Sequence, residues 1–185
     1  MQNYQDVLAE ILIEADVLQK RVKELGEQIS ADYRGENLLL ICILRGGVPF
    51  LVDLSRCISI PHMMDFMAVS SYGVGRREST GSARVTLDLQ TDIRGQNVLL
   101  VEDIVDSGHT IASVLQMLST RQPKSLKVCA LLDKPERREA HVPIDYIGFT
   151  IPNKFVFGYG LDLDEYHRNL PFVGVVDLNK YQPSE

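Results

Sequence analysis

The sequence predicts an α/β fold in which a mainly parallel central sheet is flanked by helices. Continuous apolar runs of strand length alternate with segments of helical character, in the order strand, helix, strand, strand, helix, strand, which is typical of parallel sheets. The chain has 185 residues, 45% of them hydrophobic, which suffices for one buried core with room for only a small subdomain. We therefore expect one domain.

The first two elements are predicted to be an amphipathic helix and a buried strand. Within the first thirty residues, apolar side chains recur at spacings of four and three, the stripe of an amphipathic helix. The stripe consists of Ile11, Ala15, Leu18, Val22, Leu25 and Ile29. Gly26 is expected to weaken the last turns of this helix. The run Leu38–Leu44 is continuously apolar, as in a strand covered on both faces.

The next part of the chain predicts a helix, a strand and a long loop. Arg45-Gly46-Gly47 interrupts the first strand, Val48–Cys57 indicates a helix, and a strand is expected near Met63–Ser70. From Ser71 to Ala83 the sequence contains three glycines and almost no apolar residues. This composition predicts a mobile loop, and loops of such length are commonly functional.

Four more elements follow from periodicity and apolar content. Arg84–Leu89 alternates apolar and polar residues, which predicts a half-buried strand. Val98–Val101 indicates a buried strand, Thr110–Leu118 a helix, and Leu126–Leu132 a further strand. Connected in this order, these elements extend the parallel sheet.

The tail from Ile144 onward contains further strand-like segments, separated by prolines. We expect it to form a small hood together with the N-terminal helix. The predicted organisation is a single domain over residues 1–185, with a core at about 35–142 and a hood from about 1–34 and 143–185.

Charge and composition limit the classes of partner. The net charge of −6 argues against nonspecific nucleic-acid binding, but allows a phosphorylated small ligand held by helix N-termini, backbone N–H groups, arginines or a cation. No apolar run could span a bilayer and no secretory signal is visible, so we expect a cytoplasmic protein with no nucleic-acid or membrane partner. Cys42, Cys57 and Cys129 lack disulfide or metal-ligand spacing and are expected to be buried free thiols.

The segment Val98–Thr110 carries the clearest chemical signal. Its apolar start delivers Glu102 and Asp103 to the carboxyl end of a strand, where parallel sheets bind ligands. Asp106 and then Ser107-Gly108-His109-Thr110 lead into a helix, whose N-terminus can bind phosphate. Singly, such residues are more often solvated turn residues or helix N-caps, but together they indicate a phosphate site beside an acidic pair. Walker-type and G-x-G-x-x-G spacings are absent, which excludes those nucleotide-binding loops.

Leu99–Thr110 resembles the motif that binds phosphoribosyl pyrophosphate (PRPP) in the type I phosphoribosyltransferases, which ends in Thr/Ser-Gly-x-Thr. Asp106 completes the Glu-Asp-x-x-Asp pattern of the hypoxanthine–guanine members, whereas uracil-type and adenine-type relatives usually differ there. The resemblance covers about residues 7–178. It implies the type I phosphoribosyltransferase fold and transfer of the phosphoribosyl group of PRPP to hypoxanthine or guanine in purine salvage, giving IMP or GMP.

Four further segments resemble the same family in the expected order. Leu44-Arg45-Gly46-Gly47 resembles the pyrophosphate loop, in which family members have a cis peptide before the basic residue. Ser71-Tyr72 resembles the start of the mobile lid, and Lys134 resembles the lysine that contacts purine O6. Lys154–Asp162, with Glu165–Arg168, resembles the region that stacks on the base and binds metal and pyrophosphate.

The resemblance also implies residue roles, Mg²⁺ as cofactor and a homo-oligomer, either a dimer or a tetramer. Asp106 is the expected catalytic residue and manages the proton at purine N7. Residues expected to bind PRPP are Arg45, Gly46, Gly47, Glu102, Asp103, Asp106, Ser107, Gly108, His109, Thr110 and Arg168. Those expected at the base are Lys134, Phe155, Val156 and Asp162, and those expected at Mg²⁺ are Glu102, Asp103 and Asp162. By spacing alone, Phe155 is more simply read as a core residue, and Asp162 as a turn residue.

Two alternatives stay open on the sequence. One is a phosphoribosyltransferase for another base; xanthine keeps O6 and differs only at the 2-position, while Asp106 and Lys134 argue against uracil. The other is a phosphoribosyltransferase-like regulator that binds RNA, which the acidic balance and the intact set of acids disfavour. His109 stands at a variable position of the phosphate motif, and no catalytic role is expected for it.

Overall fold

The computed structural model describes residues 2–71 and 83–183. Its strands are β1 Leu8–Ile13, β2 Leu38–Ile43, β3 His62–Ser71, β4 Ala83–Leu87, β5 Asn97–Val105, β6 Ser125–Asp133, β7 Tyr146–Thr150, β8 Val156–Phe157 and β9 Val173–Val176. Its α-helices are α1 Tyr4–Val7, α2 Ala15–Asp32, α3 Val48–Cys57 and α4 His109–Ser119.

Six strands form the main sheet in the order β4-β3-β2-β5-β6-β7. All neighbours are parallel except β4, which is antiparallel to β3. Helices α2 and α3 pack on one face of the sheet and α4 packs on the other. With both faces covered, every residue of β2 is buried, as expected for a central parallel strand. The predicted α/β fold is confirmed.

The N-terminal segment differs from the prediction. The stripe of Leu18, Val22, Leu25 and Ile29 is fully buried on α2, but Ile11 belongs to β1 and is 39% exposed. Local periodicity could not reveal this strand, because its partner β9 lies far away in sequence.

Helix α2 continues past Gly26 to Asp32. A Cβ atom on Gly26 would lie 2.5 Å from the Cβ of Cys57, so the glycine allows α2 to pack closely against the end of α3. The helical glycine therefore has a packing role that its low helix propensity does not reveal.

A second, three-stranded antiparallel sheet has the order β1-β9-β8, and we call it the hood sheet. Its own small core contains Val7, Phe157, Leu163, Leu170 and Val176. The N-terminal contribution to the hood sheet is β1, whereas α2 packs against α3 and β7. Moreover, β7 pairs with β6 in the main sheet, so the main sheet continues past residue 143. The exact division into core and hood stays a prediction.

The strand predicted at Arg84–Leu89 is present as β4. Its register against β3 shifts between the pairs Val69 with Val85 and Ala68 with Leu87. This β-bulge breaks the inside–outside alternation, which explains why Leu87 is 44% exposed.

As predicted, all three cysteines are free thiols, and Cys42 and Cys129 are buried. Cys57, the last residue of α3, is only half-buried, so the prediction of burial is wrong for it. Among the helices in the described residues, none is both long enough and apolar enough to cross a membrane.

Candidate active site

The acidic pair lies within β5, not after it. The sequence predicts a strand over 98–101, but β5 continues to Val105 because β6 still pairs with it as far as Asp133. Strand β2 ends earlier, its last pair with β5 being Cys42 with Val101. The end of β5 therefore extends beyond β2, and the Arg45–Gly47 turn lies against this extension.

The side chains of Glu102 and Asp103 face different parts of the site. Glu102 lines a cavity of about 140 Å³ together with Asp106, Ser107, Gly108 and Thr110. Asp103 instead faces the Arg45–Gly47 turn, since a Cβ on Gly46 would lie 1.6 Å from its Oδ2. Adjacent residues of a strand point to opposite faces, so one peptide unit connects two subsites.

Both carboxyl groups are held in surroundings that disfavour charge. Burial raises the pKa of Asp103 to about 6, despite hydrogen bonds from backbone N–H groups and the nearby Arg168. Its Oδ1 accepts a 2.7 Å hydrogen bond from the Ile104 N–H. Burial and then the charge of Asp103 raise the pKa of Glu102 well above its usual value, and Glu102 Oε2 is buried with no hydrogen-bond partner among the described residues. Such an orphaned oxygen suits a ligand hydroxyl or a cation.

The turn from Asp106 to Thr110 packs closely against the segment that contains Ala140 and leads into α4. Gly108 has φ +88° and precedes α4 as its N-cap, and a Cβ there would lie 2.8 Å from the Ala140 carbonyl oxygen. The free N–H groups of the first turn of α4 favour an anion in the adjoining cavity. His109 does not line that cavity; its Nε2 lies 2.9 Å from Glu139 Oε2.

Residues 137–140 brace this turn, and the sequence reasoning missed them. Arg137 Nε lies 3.2 Å from Asp106 Oδ1. Arg138 donates to the Asp106 and Val105 carbonyl oxygens, each at 3.1 Å, and forms an ion pair with Asp133. The N–H groups of Glu139 and Ala140 donate to the Ser107 carbonyl oxygen. In the sequence, the consecutive residues Arg137 and Arg138, shortly after the end of β6, could have indicated these contacts.

The residues expected at the base lie around the same end of the sheet. Lys134 is only 5% exposed, and burial lowers its pKa, although Asp106 acts in the opposite direction. Phe155 is 45% exposed, so it is not a core residue, and its ring meets Tyr181 edge-on with centroids 6.1 Å apart. Val156 is buried in β8 opposite Val175.

The turn formed by residues 158–168 covers the other side of the site. Gly160 has φ +101°, and a Cβ there would lie 2.0 Å from the Gly46 carbonyl oxygen. Arg168 donates to the Gly160 carbonyl oxygen at 2.9 Å and pairs with Asp162 Oδ1 at 2.9 Å. Its Nη2 also lies 3.2 Å from Glu165 Oε2. The turn thereby places Arg168 and Asp162 against the Arg45–Gly47 turn, where the Leu44–Arg45 peptide is cis.

The lid prediction falls at the edge of the described residues. Ser71 is the last residue of β3 and pairs with Ala83 of β4. Tyr72 lies outside the described residues.

Within residues 2–71 and 83–183, no group of three or more His, Cys, Asp or Glu side chains is arranged to hold a metal ion. Mg²⁺ is commonly bound by only one or two carboxylates together with substrate phosphates. The donor types of Glu102, Asp103 and Asp162 fit that mode of binding, and the unpartnered Glu102 Oε2 supplies a free oxygen.

Comparison with known proteins shows the family of the chain. The model of the phosphoribosyl transferase domain matches residues 12–164, and the chain therefore belongs to the phosphoribosyltransferase family. Within the family, it is similar to the hypoxanthine-guanine phosphoribosyltransferase of Mycobacterium avium, at 49% identity over 97% of this chain and 91% of that one. It is 47% identical to the hypoxanthine phosphoribosyltransferase of Escherichia coli, over 91% of this chain and 96% of that one.

A solved structure extends the similarity to the fold. The crystal structure of a hypoxanthine phosphoribosyltransferase from Staphylococcus aureus matches with a TM-score of 0.92 at 41% identity, over 97% of this chain and 96% of that one. The expected type I phosphoribosyltransferase fold and the predicted branch of the family, the hypoxanthine–guanine phosphoribosyltransferases, are both confirmed.

Proposed function

We propose that the chain transfers the phosphoribosyl group of PRPP to hypoxanthine or guanine, releasing pyrophosphate and forming IMP or GMP in purine salvage. One observation carries the proposal. Three parts of the site lie at the same end of the sheet: Glu102 and Asp103 of β5, the turn Asp106–Thr110 before α4, and the buried Lys134. The names of the relatives support the same reaction.

The PRPP end of the site is assigned first. The 5′-phosphate binds the turn Asp106–Thr110, where hydroxyls, backbone N–H groups and the helix N-terminus all favour an anion. Glu102 and Asp103 bind the ribose hydroxyls directly or through Mg²⁺. Because the two side chains lie on opposite sides of β5, they can address the ribose between its two phosphorylated ends.

The pyrophosphate end lies across Asp103 from the phosphate turn. Gly46 and Gly47 bring backbone N–H groups close to the anion. Arg45 and Arg168 neutralise the charge that develops on pyrophosphate when its bond to the anomeric carbon breaks. Asp162 stands beside Arg168 and is assigned to a magnesium ion carried by pyrophosphate. When bound, Mg²⁺ neutralises phosphate charge and orients the leaving group.

The base lies between Phe155 and the end of β6. The exposed ring of Phe155 offers a stacking face, and Val156 contributes backbone contacts at the edge of the base. Lys134 donates a hydrogen bond to O6; adenine carries an amino group there, so two donors would face each other and adenine is disfavoured.

Asp106 is placed to manage the proton of the purine. As a purine ring nitrogen forms its bond to the anomeric carbon, the Asp106 carboxylate accepts the proton from the N7 side. Arg137 holds that carboxylate at 3.2 Å, and Lys134 is close enough to influence it. The acid, its cationic neighbours and the O6 donor therefore form one cluster.

The test is nucleotide formation from PRPP and Mg²⁺ with hypoxanthine, guanine, xanthine, adenine and uracil assayed in parallel. We expect IMP and GMP, with little or no product from adenine and uracil. If xanthine also gave a nucleotide, the substrates would include a 6-oxopurine with a different group at the 2-position. Product from uracil alone contradicts the proposal, and PRPP binding without any nucleotide formed, together with tight RNA binding, would favour the regulatory alternative.

A further inference from the structure

Glu165 joins the two arginines that the proposed function assigns to pyrophosphate. A single carboxylate oxygen, Glu165 Oε2, lies 2.5 Å from Arg45 Nη2 and 3.2 Å from Arg168 Nη2. Arg45 comes from the turn after β2, and Arg168 comes from the turn 158–168. The glutamate therefore bridges two separate segments at the place where a dianionic or more highly charged ligand is expected.

The backbone around Glu165 holds its carboxylate at this position. Glu165 has φ +70° and Asp164 has φ +52°, a left-handed conformation that is unfavourable for residues other than glycine. The Glu165 N–H donates to Asp162 Oδ2 at 2.9 Å, and Tyr181 Oη donates to Asp164 Oδ1 at 2.6 Å. Hydrogen bonds from two directions thus maintain an unfavourable turn that points a carboxylate at two cations.

Carboxylate and phosphate oxygens bind the same guanidinium donors. An oxygen of pyrophosphate seated between Arg45 and Arg168 would lie beside the Glu165 carboxylate and be repelled by its charge. Either the carboxylate moves away from the arginines, or pyrophosphate binds them less well.

We infer that Glu165 is an internal competitor of pyrophosphate, which occupies Arg45 and Arg168 in the empty site and lowers their affinity for the pyrophosphate group. The inference rests on the proposed function, because that function assigns both arginines to this ligand. A competing carboxylate thereby reduces the inhibition of the forward reaction by the product pyrophosphate.

The experiment compares the wild-type protein with Glu165→Gln. The dissociation constant of magnesium pyrophosphate is measured by calorimetry, and product inhibition by pyrophosphate is measured in the forward reaction. Because exposed ion pairs are weak, we expect pyrophosphate to bind about two- to tenfold more tightly to the variant. The KM for hypoxanthine should stay unchanged, since the base does not contact these arginines, and added salt should reduce the difference in affinity.

Two further variants keep the test interpretable. Glu165→Asn also removes the charge and tolerates the left-handed backbone better than glutamine, so it should bind pyrophosphate more tightly as well. Glu24→Gln is the matched control, because Glu24 is an exposed glutamate paired with Arg21 at 3.0 Å on α2, remote from the site.

Unchanged pyrophosphate affinity in Glu165→Gln and Glu165→Asn would show that the carboxylate does not compete. Weaker binding would mean that Glu165 positions the arginines for the ligand, which also overturns the inference. If the wild-type protein neither binds pyrophosphate nor forms nucleotide, the proposed function itself fails. A wild-type protein that turns over normally, beside variants with unaltered pyrophosphate affinity, removes only the inference.

Discussion

Asp106 combines two roles at one position of the chain. Its backbone belongs to the turn that surrounds the cavity before α4, and its side chain reaches out of that turn toward Arg137. The carboxylate is partly exposed, with 42% of the side chain accessible. A purine base held near Lys134 could therefore reach it without a rearrangement of the core.

The substitution Asp106→Asn separates these two roles. Asparagine keeps an oxygen that can accept the hydrogen bond from Arg137, but it cannot take a proton from the purine. We expect turnover to fall about 10- to 1,000-fold, the scale of a lost general acid–base group, while the affinity for PRPP is retained. Steady-state kinetics with hypoxanthine and calorimetry with PRPP provide the measurements. A parallel loss of PRPP binding would make Asp106 a structural residue.

Individual residues were predictable where a motif fixes their neighbours. Glu102, Asp103 and Asp106 stand in one short segment, so their common location follows from the sequence. Arg137 was not predictable, because its contact with Asp106 depends on how the chain turns after β6. For Phe155 the local pattern was misleading, because its spacing suits a core position but its ring is 45% exposed.

At the scale of elements, the site depends on a contact between two turns. The turn 158–168 touches the Arg45–Gly47 turn through Gly160, where no side chain fits. This contact determines how far Arg168 lies from Arg45. The positions of the two arginines are therefore set by backbone packing as well as by charge.

Gly160→Ala should move these turns apart. A Cβ at 2.0 Å from the Gly46 carbonyl oxygen cannot be accommodated without a backbone shift, so the arginines would separate. We expect the KM for PRPP and the inhibition constant of pyrophosphate to rise about 5- to 150-fold, because small-to-large changes in tight packing cost about 1–3 kcal/mol. Both are read from steady-state kinetics.

Gly95→Ala is the matched control for this change. Gly95 has φ +71°, but no atom in the described part of the chain lies within 4 Å of the added Cβ, so the substitution costs only about 1–2 kcal/mol of backbone strain and should leave both constants unchanged. Equal kinetic effects of the two substitutions would argue that strain, and not the contact with Gly46, determines the result.

Elements with a strong local hydrophobic pattern were predicted well. Strand segments that depend on pairing with another strand were predicted less well. Helix α3 has the predicted bounds, and β2 ends one residue short of its prediction, at Ile43. The end of β5 and the whole of β1 were missed, because each exists only through a partner strand. Pairing with β6 extends β5, and pairing with β9 makes a strand of a segment that shares the helical period of α2.

At the scale of the whole molecule, the buried acids make folding stability depend on pH. The pKa of Asp103 rises from an ordinary value of 3.8 to about 6 on folding, so the folded state binds more protons than the unfolded state between these values. Stability is therefore lost as pH rises from about 4 through about 6. Burial of Glu102 acts in the same direction.

Asp103→Asn should stabilise the metal-free protein above pH 6. The amide keeps an acceptor for the Ile104 N–H and removes the buried charge, so the free energy of unfolding should rise by about 1–3 kcal/mol at pH 8. The gain should shrink as pH falls toward 4. Urea denaturation in the presence of EDTA, at a series of pH values, measures both quantities.

Asp16→Asn provides the comparison for Asp103→Asn. Its carboxylate likewise accepts a hydrogen bond from the next N–H, that of Val17 at 2.9 Å, but it lies exposed in the first turn of α2. Loss of that charge should change stability little and in the opposite direction. A variant Asp103→Asn that is no more stable at pH 8 than the wild-type protein would contradict the account of the buried acids.

The extension of β5 beyond β2 also bears on how the specificity of such a protein can change. The subsites proposed for the two phosphorylated ends of PRPP are joined by the peptide unit between Glu102 and Asp103, and their spacing is fixed by the strand ladder. An insertion in a loop other than the Arg45–Gly47 and Asp106–Thr110 turns therefore leaves that distance unchanged. The groups proposed to contact the base, at Lys134 and Phe155, come from separate segments outside β5. Substitutions there can alter which base is accepted without changing the contacts proposed for the ribose and phosphate groups of PRPP.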